Sequence, residues 1–251
     1  MNRTGLIIAL AIAAPVGLAF GLYPQLDILA VAPFFNTTTE RWVGFNPTAW
    51  LLRDLSMWLC ALVAAPAFIA LLVKLVRPRR RMLVPGRAAV LMIATLTLAP
   101  GILANVILKD NWGRPRPSDI TEFGGPGQFK PWWDPRGECD KNCSFVAGEP
   151  SGAFWTLSAA AVAPPAWRAV GYAAALTFGT AVGILRMSAG GHFFTDVVFA
   201  GVFTFLIIWI VHRWLYRWRT RIADDAVERA IERIALPGYD ALRRLFARKR
   251  E

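Results

Sequence analysis

The stretch Ala88–Leu108, AAVLMIATLTLAPGILANVIL, contains no charged residue and is followed at once by Lys109-Asp110-Asn111-Trp112-Gly113-Arg114-Pro115-Arg116-Pro117. A helix that crosses the hydrocarbon core of a bilayer needs roughly 20 mostly apolar residues, and this run supplies them. The prolines beyond Gly113 prevent the helix from continuing. A membrane helix that ends in a cluster of cations is therefore the unit around which the rest of the chain is read.

Runs of the same kind occupy Gly5–Tyr23, Leu55–Val76, Trp167–Leu185 and Phe193–Leu215. A weaker sixth, Phe145–Ala163, is interrupted in its first part by Gly148-Glu149-Pro150-Ser151-Gly152. The expected fold class is all-α, a six-transmembrane-helix bundle. The first run has the basic start and Ala-rich steps of a signal peptide but is long for one, and it is read as a retained helix. Composition agrees with a single bundle: 55% of the 251 residues are hydrophobic and 18% are charged. The net charge of +11 sits at the ends of the apolar runs, where membrane orientation is decided. The expected partner is accordingly the lipid bilayer and not nucleic acid.

Between the second and third runs lie Lys74, Arg77, Arg79, Arg80, Arg81 and Arg87, with no acidic residue among them. The tail after Arg213 is also rich in Arg. By the positive-inside rule both belong in the cytoplasm. Six spans then place both termini inside and the loops Pro24–Leu52, Lys109–Ser144 and Arg186–His192 outside. The membrane domain is expected over residues 1–215 and a cytoplasmic amphipathic basic tail over 216–251. In that tail Ile222, Val227, Ile231 and Ile234 recur at helical spacing with Arg229, Glu232 and Arg233 between them. This reads as a helix lying on the inner membrane surface, a plain solvated helix being the alternative.

Cys60 lies within an apolar run, whereas Cys139 and Cys143 flank Asp140-Lys141-Asn142 in a long outer loop. Zinc would want more Cys or His than this chain, with two histidines, provides. In an oxidising compartment Cys139 and Cys143 could close a small disulfide; otherwise they are two unpaired surface cysteines.

Two outer segments carry chemistry. In Lys109–Pro117 the Arg-Pro repeat fixes where guanidinium groups point, and fixed forks of donors suit a phosphate. In Arg186-Met187-Ser188-Ala189-Gly190-Gly191-His192-Phe193-Phe194-Thr195-Asp196, His192 and Asp196 are four apart and share a helix face. Asp196 could accept from one imidazole nitrogen and leave the other free to attack. His212 lies further along the same helix, roughly 30 Å away at 1.5 Å per residue, where a headgroup or capping role suffices. One histidine on the active side also argues against a binuclear metal site.

Lys109, six residues, then Arg116-Pro117 resembles the first motif of the type 2 phosphatidic acid phosphatase family. Arg186, five residues, His192, three residues and Asp196 resemble its third. The resemblance implies a metal-independent lipid phosphatase with no cofactor, in which His192 forms a phosphohistidine. Asp196 would then orient His192, and Lys109, Arg116 and Arg186 would bind phosphate. The family's second motif, Pro-Ser-Gly-His, supplies an acid to the leaving group, and here this chain departs from the pattern. The literal Pro150-Ser151-Gly152 leaves Ala153 at the acid position. Overlaying Ser144-Phe145-Val146-Ala147-Gly148-Glu149 on Ser-Phe-Pro-Ser-Gly-His instead puts Glu149 there, with Ala147 for the serine and the Gly148 amide left to grip phosphate. Glu149 also reads simply as a neighbour of a helix N-cap, with Pro150 at the first helical position.

The expected protein is a multi-pass phosphatase of a bacterial inner (cytoplasmic) membrane, its site facing the periplasm. Its candidate substrates are lipid A phosphate, a polyprenyl diphosphate, phosphatidylglycerophosphate or phosphatidic acid. A lipid phosphotransferase is a close variant. A non-catalytic lipid-phosphate binder or transporter is the rival from another class, kept alive by the altered second motif. The orientation is open to direct test. A reporter inserted in the Lys74–Arg87 loop should read cytoplasmic and one in Gly124–Gly127 external; the reverse would remove outer-leaflet lipids from the list.

Overall fold

The computed structural model describes residues 2–218 and 222–248. Helix α1 (Arg3–Leu22) starts at Asn2, whose side chain accepts from the Gly5 amide at 3.1 Å. A short helix α2 (Gln25–Val31) and a two-residue antiparallel hairpin, β1 (Phe35–Asn36) with β2 (Arg41–Trp42), fill the connection to α3 (Pro47–Val76). The α3 helix begins eight residues before the apolar run because Asn46 caps it, accepting from the Ala49 amide, and Pro47 occupies its first turn. Its 30 residues span about 45 Å at 1.5 Å per residue, more than the hydrocarbon core alone requires.

The run that opened the sequence reading becomes one composite helix. The α4 helix (Gly86–Leu96) passes into a π-helical stretch, Thr97–Leu108, and ends in α5 (Lys109–Asn111). Pro100 has no amide to donate to a helical ladder, and the Asn105 side chain donates to the Pro100 carbonyl at 2.6 Å. The wider winding changes the phase of the helix just before Lys109.

Beyond the long outer loop come α6 (Gly148–Trp155) and α7 (Leu157–Val162), then α8 (Arg168–Ser188), α9 (Phe194–Tyr216) and α10 (Asp224–Arg248). Five helical segments are long and apolar enough to cross a membrane: Arg3–Leu22, Pro47–Val76, Gly86–Asn111, Pro165–Ser188 and Phe194–Tyr216. The expected sixth span is two short helices broken at Thr156, stopped by Pro164 and Pro165. Its brevity fits its position. The α6 helix is enclosed by α3, α8, α9 and the π-helical stretch, with Pro150, Ser151, Ala153, Phe154 and Trp155 all buried. Trp155, fully buried, donates to the Met92 carbonyl at 3.1 Å and to the Thr95 hydroxyl at 3.0 Å. Conversely, α1 and α3 turn Ile7, Leu18, Trp58 and Leu62 outward, as helices facing lipid do.

At the end of the bundle that carries the basic loop, α10 docks through its acidic residues. Arg87 pairs with Asp224 at 2.8 Å, and the Lys74 ammonium lies 3.4 Å from Glu232. The Met82 amide donates to Glu228. Residues 219–221 and 249–251 of the expected basic tail lie outside the described residues. At the opposite end, Cys139 and Cys143 are joined in a disulfide, with Cα atoms 5.8 Å apart. Both thiols should therefore resist alkylation in native membranes until a reductant is added, and free labelling without reductant would contradict the bond.

Candidate active site

Arg114 is fully buried, and so are the carboxylates on either side of it. Its Nη2 lies 2.8 Å from Asp27 Oδ2, and its Nη1 donates to Asp196 Oδ1 and, at 2.9 Å, to Thr195 Oγ1. Its Nε donates to the Lys130 carbonyl at 2.9 Å, and its guanidinium carbon stands 4.3 Å from the centre of the Phe193 ring. Thr195 donates to Asp27 through both its amide, at 3.0 Å, and its hydroxyl, at 2.6 Å. Burial pushes the Asp27 carboxyl above the usual carboxylate range, and Arg114 opposes that rise. A buried charge is tolerable only when paired and hydrogen-bonded, and here one guanidinium serves two acids from α2 and α9. Of the two arginines in the Arg-Pro repeat, Arg114 thus turns inward. Arg116 stays half-buried, its Nη2 donating to the Asn142 carbonyl at 2.8 Å.

Asp196 has a different hydrogen-bond partner from the one its spacing suggested. Its Oδ2 accepts from the Phe193 amide at 2.8 Å, closing the first turn of α9, and from the Ser144 hydroxyl. It stands 3.8 Å from His192 Nδ1, beyond hydrogen-bond distance. Nδ1 is held instead by the Ser144 carbonyl at 2.8 Å. Asp196 therefore fixes His192 through Ser144, whose hydroxyl and carbonyl face the two residues in turn. Because a carbonyl only accepts, Nδ1 carries the hydrogen and Nε2 of the neutral ring carries the lone pair. Nε2 is buried and has no hydrogen-bond partner among the described residues. Burial holds His192 below the ordinary histidine pKa; Asp196 pulls it up and Lys109 pushes it down.

Two cations lie against the chain segments that flank His192 in space, Gly148 and Gly191. Lys109 and Arg186 are both largely buried. A Cβ placed on Gly148 would lie 2.7 Å from Asn105 Oδ1 and 3.4 Å from Lys109 Nζ, so the ammonium sits over the first residue of α6. A Cβ on Gly191 would fall 2.6 Å from Arg186 Nη2, which places that guanidinium against the residue preceding His192. Backbone bonds stitch the three motif segments together: Cys143 N to Lys109 O and Ser144 N to Arg114 O at 2.8 Å, Ser118 N to Gly190 O at 3.0 Å, and Ala147 N to Asp196 O at 3.2 Å.

Glu149 reaches this cluster, whereas the residues of the literal Pro150-Ser151-Gly152 register do not. Ser151 Oγ pairs with Thr204 Oγ1 at 2.8 Å inside the bundle, and Ala153 is buried in the core. Glu149, however, is held between two arginines. Its Oε1 accepts from Arg53 Nε at 2.8 Å and lies 2.7 Å from Arg53 Nη2, while Oε2 lies 2.9 Å from Arg186 Nε. Although burial raises its pKa, Arg186 and Arg53 hold the Glu149 carboxyl down at about 2, and the carboxylate anchors both cations. His212 stacks on Tyr216 with ring centroids 4.7 Å apart, near the other end of α9. Among the described residues no group of three His, Cys, Asp or Glu side chains is placed to hold a metal ion.

The model of the PAP2 superfamily matches residues 88–220, which include every motif residue placed above. The chain belongs to the PAP2 superfamily. It is 32% identical over 224 residues to a lipid A 4'-phosphatase of Francisella tularensis subsp. novicida, a match covering 86% of this chain and 98% of that relative. Shorter matches join it to lipid A 4'-phosphatases of Rhizobium leguminosarum, 37% identical over 106 residues, and Rhizobium etli, 35% over 105. Each of these covers 42% of this chain and under half of the relative. No solved structure matches the chain at a significant level. This PAP2 protein is a multi-pass membrane lipid phosphatase, a hydrolase acting on phosphoric ester bonds.

Sequence reasoning missed Asp27, Arg53, Asn105 and Ser144 as parts of the site. Asp27 gave the plainest signal, an acid within the apolar sequence Leu26 to Pro33. Replacing Arg114 with Met should leave two buried carboxylates facing each other. The expected loss of stability is roughly 3–5 kcal/mol, read as a lowered thermal unfolding midpoint in detergent; an unchanged midpoint would contradict the role given to the pair.

Proposed function

We propose that this protein removes the 4'-phosphate of lipid A at the outer leaflet of the bacterial inner membrane, through a phosphohistidine formed on His192. The observation that carries the mechanism is the state of His192: Nδ1 held by the Ser144 carbonyl and Nε2 buried without a partner among the described residues, with Lys109 beside Gly148 and Arg186 beside Gly191. The substrate assignment rests on similarity to the Francisella lipid A 4'-phosphatase over almost the whole length of that relative. The choice of leaflet rests on the basic Lys74–Arg87 loop, which lies at the end of the bundle away from His192.

On this reading the Nε2 lone pair attacks phosphorus in line as the phosphorus–oxygen bond to the lipid breaks, and the departing lipid oxygen takes a proton from water to leave as the alcohol. The hydrogen on Nδ1 stays with the Ser144 carbonyl and steadies the positive charge gained by the ring. Lys109, Arg116, Arg186 and the Gly148 amide at the start of α6 balance charge on the equatorial oxygens. Water then breaks the phosphorus–nitrogen bond, releasing inorganic phosphate and restoring the imidazole. Asp196 is a positioning residue, acting through Ser144 and the first turn of α9.

Purified protein offered lipid A phosphorylated at the 4' position should release inorganic phosphate, and His192→Ala should abolish release while leaving the fold intact. His212→Ala should be nearly silent. Substantial turnover by His192→Ala would sink the mechanism, and label passed to a second lipid in place of water would make the protein a phosphotransferase. Since the neutral imidazole is the nucleophile and its pKa is lowered, kcat/KM should hold as pH falls to 6.5, the ordinary histidine value, and decline only below it. A decline already under way above that value would contradict the assignment.

A further inference from the structure

Arg53 lies in α3, before the segment that the family model matches, and no motif contains it. Yet its side chain is committed to the site. Nε and Nη2 both converge on one oxygen of Glu149, at 2.8 and 2.7 Å, and the guanidinium carbon stands 5.3 Å from the centre of the Trp50 ring. The other Glu149 oxygen is thereby turned to Arg186 Nε, at 2.9 Å. Arg186 is thus ion-paired with Glu149 on the Nε side of its fork, while its Nη2 lies against Gly191, the residue before His192. Arg53 and Arg186 also line the same small cleft between α3 and α8, together with Ala49, Trp50, Leu185 and Ala189.

We propose that Arg53 is a positioning residue of the phosphate site, acting through Glu149 to hold Arg186 by one edge so that its remaining donors face the phosphate. The inference rests on the phosphate site proposed above. Its logic is geometric. Arginine recognises a phosphate through a fork whose direction matters, and a long side chain left unanchored loses that direction. Glu149 alone could anchor Arg186, but an unpaired carboxylate would compete with the substrate dianion for the same cations. Arg53 offsets the Glu149 charge, so the cluster keeps its net attraction for phosphate while Arg186 remains fixed. The chain thus uses a carboxylate and a second arginine where the family's second motif carries a histidine.

The test is equilibrium binding of inorganic phosphate to the full-length protein in detergent, which needs no turnover. Arg53→Ala should weaken phosphate binding by roughly 10- to 100-fold, the range that loss of an orienting partner carries at ligand sites. Glu149→Gln should do the same, and Arg53→Ala added to Glu149→Gln should cost little more, since both act through one bridge. In turnover measured over a range of lipid substrate concentrations the loss should fall mainly on KM. Because the Arg53 side chain is about a third exposed, at 32%, added guanidinium ion should restore much of the lost affinity to Arg53→Ala. Arg53→Lys, which keeps the charge without the fork, should lie between the two. Phosphate affinity unchanged in Arg53→Ala, or an additive double variant, would overturn the inference alone. Failure of guanidinium to restore a folded Arg53→Ala would also overturn it. An unmodified protein that binds no phosphate would instead refute the site on which the inference rests.

Discussion

Arg114 carries a full charge in a place where water does not reach, and the active end of the bundle depends on how that charge is compensated. A guanidinium can leave water only if its donors find acceptors and its charge finds a counter-charge. Asp27 on α2 and Asp196 on α9 supply both, and Lys130 and Thr195 supply the remaining acceptors. The pairing draws together a helix near the start of the chain, the segment that ends the third span, and the first turn of the last span. Once Asp196 is fixed, Ser144 is fixed by it, and through the Ser144 carbonyl so is the His192 ring. The imidazole that the proposed mechanism uses is therefore oriented by an ion pair that need not touch substrate. This explains why Asp196 sits near His192 without bonding to it: its hydrogen-bonding capacity is spent on the scaffold.

The charge pattern has two levels. Over the whole chain, cations gather at one end of the apolar runs, where α10 answers them with Asp224, Glu228 and Glu232. At the other end a smaller cluster is kept deliberately under-compensated. Lys109, Arg116, Arg186 and Arg53 are met by Glu149, and by Asp110 and Asp54 at the margin, so the cluster keeps a net positive charge. A fully neutralised cluster would bind phosphate weakly, and a cluster without Glu149 would leave the arginines without fixed directions. The departure from the family's second motif reads as a change in how the cations are anchored.

Much of this was legible in the sequence, and the parts that were not share a cause. Apolar length located five spans, because a bilayer imposes a length on a helix independently of its neighbours. Lys109, Arg116, Arg186 and His192 were legible as candidates because each motif is local and its spacing survives folding. The α3 boundary was misplaced since Arg53 and Asp54 lower the hydropathy of its first turns; the charge that hid the helix start belongs to the site. The side chains of Asp27, Arg53 and Ser144 meet Thr195, Glu149 and Asp196 across 168, 96 and 52 residues, which no local pattern reports. The direct partners of Asp196 were hidden for a related reason. Four-residue spacing put it on the His192 face, but its position in the first turn of α9 committed it to the Phe193 amide.

The claim on which the account turns is that His192 Nε2 takes the phosphoryl group. The most direct measurement is rapid acid-free quenching of the protein with lipid A labelled in its 4'-phosphate, followed by peptide mapping of any protein-bound label. The account predicts base-stable, acid-labile label on the peptide containing His192, appearing within one turnover and lost on chase with unlabelled substrate. Turnover without protein-bound label, or label carried by another residue, would contradict it.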